Sequence, residues 1–265
     1  MENSVVHPKA KIGANVTIGP FCCIAENVEI GEGSWIGPNV TIFDYVKIGK
    51  NCKIFPGAVI GAIPQDLKFG GEISYVEIGD NVVIRECATI HRGTAASGKA
   101  KTIIGNNTFI MAYVHVAHDC VIGNNVILVS YVGLAGETDV DDFAIIGGSS
   151  AAHQFSKIGA HAMLSGGSLI GKDVPPYALA GKRPLSYAGI NIIGLRRRGF
   201  TTEQITRIKE IYRVIYQSNL NVSDACKKIE ADFPETIEKR IILNFIAASK
   251  RGIIRYNPKA SSEEE

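Results

Sequence analysis

The stretch Met111–Cys120, MAYVHVAHDC, holds the chain's richest group of reactive side chains: His115, His118 and Asp119. A neutral imidazole set against a hydroxyl is the usual general base near pH 7, and contributes about 10²–10⁴-fold to a rate when well placed. An acid next to it can hold the ring in one tautomer. A lone histidine on a polar face is most often simply hydrated. A cluster argues for a site, and for proton abstraction there. No serine, and no cysteine outside core positions, stands beside the pair, so direct transfer is expected rather than a covalent enzyme intermediate.

What must position these groups is an aliphatic beat of period six. It runs from Val6 through Ile12 and Ile18 to Ile60, resumes at Ile78, Ile84 and Ile90, then shifts phase and runs from Ile104 to Ile170. Neither an amphipathic helix nor an alternating strand has this period. It marks a hexapeptide parallel β-helix, each repeat one short strand and a turn; a fortuitously periodic sandwich is the weaker alternative. Two residues ahead of each aliphatic stands a small or slender residue, such as Cys22, Val28, Ser34, Cys52, Thr108 or Cys120, and glycine often follows, as at Gly13, Gly31 and Gly105. The inward positions are expected to be narrow, with glycine and asparagine giving the corners backbone freedom. Three hexapeptides complete a coil, so successive coils stack at about 4.8 Å. On that ladder Gly136 lies over His118, and Gln154, beside His153, lies over Gly136. A glycine there leaves room for substrate, and its N–H is available to a developing oxyanion.

Composition narrows the class. At 265 residues the chain can bury a large core. A net charge of +2 gives no global field for nucleic acid. No apolar run approaches the ~18 residues of a membrane span. The opening MENSVVHPKA lacks a basic segment followed by an apolar core, so no secretory leader is expected. Cys22, Cys23, Cys52, Cys87, Cys120 and Cys226 show no metal-ligand spacing and read as core fillers in a reducing compartment, the cytoplasm. His91, His115, His118 and His153 are numerous enough to hold zinc, as histidines of neighbouring subunits do in gamma-class carbonic anhydrases. The surrounding loops do not follow the anhydrase pattern, and neither metal nor cofactor is expected.

Two insertions, about residues 62–75 with IPQDLKFGGE and about 92–102, should form loops on one face, often the binding face. The beat stops near Val174, at Pro175 and Pro176. From Thr201 the residues Ile205, Ile208, Ile211 and Ile215 take helical spacing, with Thr201 or Thr202 as cap. Further helices fit Ser223 to Ala231 and Glu235 to Ala248, and the terminal SSEEE should fray. The expected organisation is mainly β: a hexapeptide β-helix domain over 1–190 and a helical domain over 191–265.

The motifs HPKAKIGANVTIGPF, QDLKFGGE, VEIGD, TIHRGT, HVAHDC, LAGE, VDDFAIIGG, HQF, DVPPY and GINIIGLRRRGF span nearly the whole chain. Together they resemble the UDP-N-acetylglucosamine O-acyltransferases that begin lipid A biosynthesis. Single hexapeptides are widely shared; HVAHDC, HQF, DVPPY and RRGF in this order are specific. The related N-acyltransferase and the bifunctional uridyltransferase carry an additional N-terminal domain; with the repeat starting at residue 6, neither is the expected match.

The resemblance implies a left-handed β-helix, a homotrimer with active sites at subunit interfaces, and transfer of a long 3-hydroxyacyl chain. The donor would be acyl carrier protein and the acceptor the 3-hydroxyl of UDP-N-acetylglucosamine. His118 would be the base, oriented by Asp119, with Gly136 the oxyanion donor. Asp66, Lys68, His91, His115, His153 and Gln154 would lie near sugar, phosphate or acyl chain. Asn191, Arg197 and Arg198 would lie near the nucleotide, where the arginine fork suits phosphate, with a solvated basic turn before a helix the weaker alternative for any one of Arg196–Arg198. Gly166 would leave the acyl groove open. Lys172, Lys182, Arg183 and Arg196–Arg198 offer basic surface to an acidic carrier. Glu137 and Ile193 depart from the family pattern, which has a histidine and, in some members, a glutamate there. The alternatives are a short acyl group carried by coenzyme A, and a scaffold that binds nucleotide-sugar without turnover.

Overall fold

The computed structural model describes residues 3–181 and 183–257. Each aliphatic of the six-residue beat falls in a strand two to four residues long, as in Trp35–Ile36 and Ile127–Leu128. The strands stack into three sheets of nine, eight and ten strands, wound as a left-handed parallel β-helix. The register keeps every aliphatic over the next, as in Val116↔Leu134 and Ile122↔Val140. The insertions leave the wall without breaking it. Ile60 pairs with Ile90, and Thr89 with His115, while the loops emerge between the strands Val59–Ala62 and Tyr75–Ile78 and between Thr89–His91 and Lys101–Ile104.

Inside, Ile36, Ile42, Ile54, Ile60, Ile84, Ile90 and Ile110 are fully buried, each stabilising the fold by about 1.5–3 kcal/mol relative to an exposed side chain. The small inward position also satisfies backbone. The Cys22, Cys52 and Cys120 thiols donate to the carbonyls of Gly37, Gly79 and Ala135, as the Ser34 and Thr108 hydroxyls do to Gly49 and Gly123. Cys23 and Cys87, by contrast, are exposed and are not core fillers. Cys23 is one residue past the inward position and so points outward, and Cys87 occupies a corner.

The corners differ from the expectation about glycine. The left-handed residue comes three positions after the aliphatic, and it is asparagine at Asn15, Asn39, Asn51 and Asn81 but aromatic at Phe21, Tyr45, Tyr113 and Phe143. Asparagine tolerates that conformation. Several of the aromatics stack along a corner, Tyr113 on Tyr131 with centroids 5.1 Å apart and planes within 1°. The glycine directly after the aliphatic serves close packing instead: a Cβ at Gly31 would lie 2.5 Å from the carbonyl carbon of Gly49.

Pro175 and Pro176 do not end the stack. Proline is excluded where a ladder needs its N–H, but these two sit in a turn. The strand Ala178–Gly181 then adds a further rung in parallel against Met163–Leu164, and Ser186–Ile190 closes it antiparallel. Four helices follow: α1 (Ile192–Arg197), α2 (Thr202–Gln217), α3 (Val222–Asp232) and α4 (Ile237–Ala248). Thr201 caps α2 through a reciprocal capping box with Gln204, and Asn221 and Thr236 cap α3 and α4. α1 has no counterpart in the periodicity reading, being too short to show a period. α2 buries Ile205, Ile208, Ile211, Tyr212 and Ile215. It docks on the last rung, where Tyr187 stacks on Tyr216 at 4.3 Å and the Tyr212 hydroxyl donates to the Pro176 carbonyl. Among the described residues no helix is long and apolar enough to cross a membrane. Lys182 and the SSEEE terminus lie outside the described residues.

Candidate active site

The corner between the strands His115–Val116 and Val121–Ile122 carries His118 and Asp119. Asp119 takes the left-handed corner conformation, with φ of 59°, and turns its carboxylate back onto the preceding ring. Its Oδ2 lies 2.9 Å from His118 Nδ1. Asp119 is wholly buried, and a buried carboxylate needs several donors. Thr94 from the second loop supplies them: its N–H points at both oxygens, at 3.1 and 3.0 Å, and its Oγ1 donates to Oδ2 at 2.8 Å. A carboxylate only accepts, so the imidazole proton is assigned to Nδ1 and the lone pair to Nε2.

Nε2 faces outward beneath Gly136, where a Cβ would lie 2.3 Å away. Only glycine fits over this ring. The Gly136 N–H has no hydrogen-bond partner among the described residues, but neither have those of Ala112 and Gly148 at the equivalent corner position. The free N–H belongs to the corner; the histidine beneath it is what distinguishes Gly136. Asp66, from the first loop, brings Oδ2 to 3.7 Å from Nε2. Lys68 is exposed, its N–H donating to Asp66 Oδ1.

Two further histidines border the same space. His115 Nδ1 lies 2.7 Å from the Thr89 hydroxyl, and the His91 ring meets His115 edge-on at 4.8 Å. Burial pushes the His91 imidazole down to about 4 and also lowers His115. Both rings are therefore neutral near pH 7. The buried His91 Nδ1 has no partner among the described residues. Gln154 continues the ladder above Gly136, and His153 beside it is exposed, its Nδ1 2.9 Å from the Gln154 carbonyl oxygen.

The remaining residues singled out in the sequence lie elsewhere on the prism. Asn191, Arg197 and Arg198 belong to the start and end of α1, which sits one corner on. There the Asn191 amide donates to the His161 carbonyl and accepts from Gly194 N–H, capping α1. Arg198 donates to the Phe143 carbonyl at 2.9 Å and lies over the Phe143 ring. Arg197 is exposed. Gly166 occupies the third corner, in the turn after Met163–Leu164, where a Cβ would approach only Gly148, at 3.2 Å. One chain thus spreads these residues over three corners.

Periodicity missed Thr94, Lys99 and Glu72, which lie in the aperiodic insertions. Lys99 Nζ donates to the Asp119 carbonyl and pairs with Asp139. The motif TIHRGT, which contains Thr94, was the available signal. Among the described residues no group of three or more His, Cys, Asp or Glu side chains is arranged to hold a metal ion.

The coiled fold is that of the hexapeptide-repeat proteins, and the histidine–aspartate corner gives it a candidate base. Residues 27–62 and 101–136 match the bacterial transferase hexapeptide family, and residues 173–254 match domain 2 of the UDP-N-acetylglucosamine O-acyltransferases. An acyl-[acyl-carrier-protein]–UDP-N-acetylglucosamine O-acyltransferase of Sulfurihydrogenibium sp. is 48% identical over 261 residues, covering 98% of this chain and 95% of that protein. The crystal structure of a UDP-N-acetylglucosamine acyltransferase from Bacteroides fragilis superposes with a TM-score of 0.93 at 54% identity, over 96% of this chain and 98% of that one. That of Francisella novicida gives 0.93 at 43%, over 100% of both. The chain belongs to the acyl-[acyl-carrier-protein]–UDP-N-acetylglucosamine O-acyltransferase family.

Proposed function

We propose that the enzyme transfers a long 3-hydroxyacyl chain from acyl carrier protein to the 3-hydroxyl of UDP-N-acetylglucosamine, opening lipid A biosynthesis in the cytoplasm. One observation carries the mechanism: His118 is held at Nδ1 by Asp119, and its Nε2 opens beneath Gly136. Nε2 takes the proton of the sugar hydroxyl as the oxygen attacks the thioester carbonyl. The C–O bond forms, and the carbonyl oxygen gains charge that the Gly136 N–H can meet. Collapse breaks the C–S bond, and the imidazolium returns its proton to the leaving thiolate. Asp119 stabilises the imidazolium between these steps. The products are the acylated sugar nucleotide and the free carrier thiol.

The other residues take supporting roles in this reading. Asp66 and Lys68 hold the sugar nucleotide from the first loop. Neutral His91 and His115, with His153 and Gln154, line the sugar and acyl path. Arg197 binds phosphate. Asn191 and Arg198 shape that subsite mainly by fixing α1, since their polar groups are already engaged. Because α1 and Gly166 stand at other corners than His118, a complete site needs residues from neighbouring copies, which supports a homotrimer with sites at its interfaces. The exposed run Arg196–Arg197 and Lys172 offer the acidic carrier a basic surface.

The test is acyl transfer to UDP-N-acetylglucosamine from a panel of 3-hydroxyacyl carrier proteins, with short acyl-coenzyme A donors alongside. Transfer from a long-chain carrier donor is expected. Transfer only from coenzyme A, or from no donor, would overturn the assignment.

A further inference from the structure

The two loop insertions meet each other as well as the active corner. Glu72, in the first loop, accepts from the N–H of Ala95 in the second at 2.9 Å, and from Gly70 N–H in its own loop at 2.8 Å. Ala95 follows Thr94, whose N–H and hydroxyl hold both oxygens of Asp119. Asp119 holds His118, and His118 Nε2 faces Asp66, back in the first loop. The contacts close a ring: first loop, second loop, carboxylate, imidazole, first loop. Gly93 makes the approach possible, since a Cβ there would sit 2.1 Å from the Lys101 nitrogen and 2.5 Å from Asp119 Oδ1.

We propose that Thr94 is a positioning residue for the His118–Asp119 pair and that Glu72 is the strut coupling it to the loop that presents Asp66. Asp119 and His118 are consecutive, so the backbone alone allows the carboxylate to swing about χ1. With the Thr94 hydroxyl gone, Oδ2 loses a donor inside a buried site. It is then free to turn from Nδ1, and the ring loses the partner that fixes its tautomer. Removing Glu72 acts on a different step. It leaves Thr94 on Asp119 but frees the first loop, so sugar binding suffers while the pair stays aligned. The charged or titratable groups facing the ring are Asp119, Asp66 and His91, with Lys99 behind Asp119 and Glu137 on the next corner up.

This inference rests on His118 being the base, so its test needs a readout besides turnover. The probe is the low-field Nδ1–H proton of His118 in the NMR spectrum of the substrate-free protein, assigned by its loss in His118→Gln. In Thr94→Val this resonance should move upfield or vanish by exchange with water, and Thr94→Ser should restore it. In the transfer assay, Thr94→Val should lower kcat about tenfold or more with little change in KM, Thr94→Ser should recover most of it, and Glu72→Ala, which removes the acceptor, should raise KM for the sugar nucleotide with kcat and the resonance retained. A resonance unaltered in a folded Thr94→Val protein would overturn the proposal whatever the enzyme acylates. If Thr94→Val fails to fold, Thr94→Ser and Glu72→Ala decide. Loss of the resonance in Thr94→Ser, or of kcat rather than KM in Glu72→Ala, would equally overturn it.

Discussion

In the proposed mechanism His118 can accept a proton only while its lone pair sits on Nε2, and the Asp119 carboxylate 2.9 Å from Nδ1 favours that tautomer. Asp119→Asn keeps the size but can offer an N–H to Nδ1, which moves the ring proton to Nε2. The expected result is a fall in kcat of about 10³–10⁴-fold with the melting temperature little changed; a variant within tenfold of the parent would contradict the assigned tautomer. At this scale His118, Gly136 and Gln154 could be read from the sequence because the six-residue beat fixes which side chains stack. Thr94 could not. It reaches Asp119 from an insertion whose length and turns carry no period, so no spacing rule connects the two. Asn191 was singled out by the resemblance alone, and its use as a helix cap depends on α1, which the pattern does not reveal.

α1 is anchored to the coils by a stack in which His161 lies on Phe143 at 4.8 Å and on Tyr177 at 5.5 Å. Arg198 closes it, with Nη1 3.5 Å from His161 Nδ1. Burial, reinforced by Arg198, pushes His161 down to about 4 from its ordinary 6.5. Between those values the unfolded chain binds the proton and the folded one does not, so stability rises with pH across the window. It is complete above about 6.5 and is lost as pH falls toward 4. Thermal melts between pH 7 and 4.5 should show a falling midpoint, and His161→Phe, which keeps the stack, should show a shallower fall. An unchanged slope would rule out His161 as a contributor. The start of α2 was legible from its cap and apolar spacing, and α3 and α4 were placed to within two residues at each end. The extra rung after Pro175 and Pro176 was not, because proline's effect depends on whether it falls in a strand or a turn.

For the whole molecule, a site spread over three corners predicts sharing between copies. His118→Ala and Arg197→Ala proteins, each weakly active alone, should regain activity when unfolded and refolded together, approaching about a quarter of the parent's sites for random trimers. No recovery in mixed oligomers would place the whole site within one chain. Gly166 makes a matching prediction at another corner. Gly166→Met should shift preference toward shorter 3-hydroxyacyl donors, and an unchanged preference in the donor panel would remove Gly166 from the acyl path. The stacked coils up to Val174 were legible from the beat, whereas sites shared between copies were expected from the family resemblance and not from the beat, because periodicity describes one chain's wall and not what leans against it.

The central claim, that His118 takes the sugar hydroxyl's proton, is tested most directly by a single-turnover measurement. Enzyme in excess over a long-chain 3-hydroxyacyl carrier protein is mixed with saturating UDP-N-acetylglucosamine, and acyl transfer is followed for the parent and for His118→Ala. The account predicts a loss of at least about 10²-fold in the transfer step, with sugar-nucleotide binding retained. Transfer by His118→Ala at close to the parent rate would contradict it.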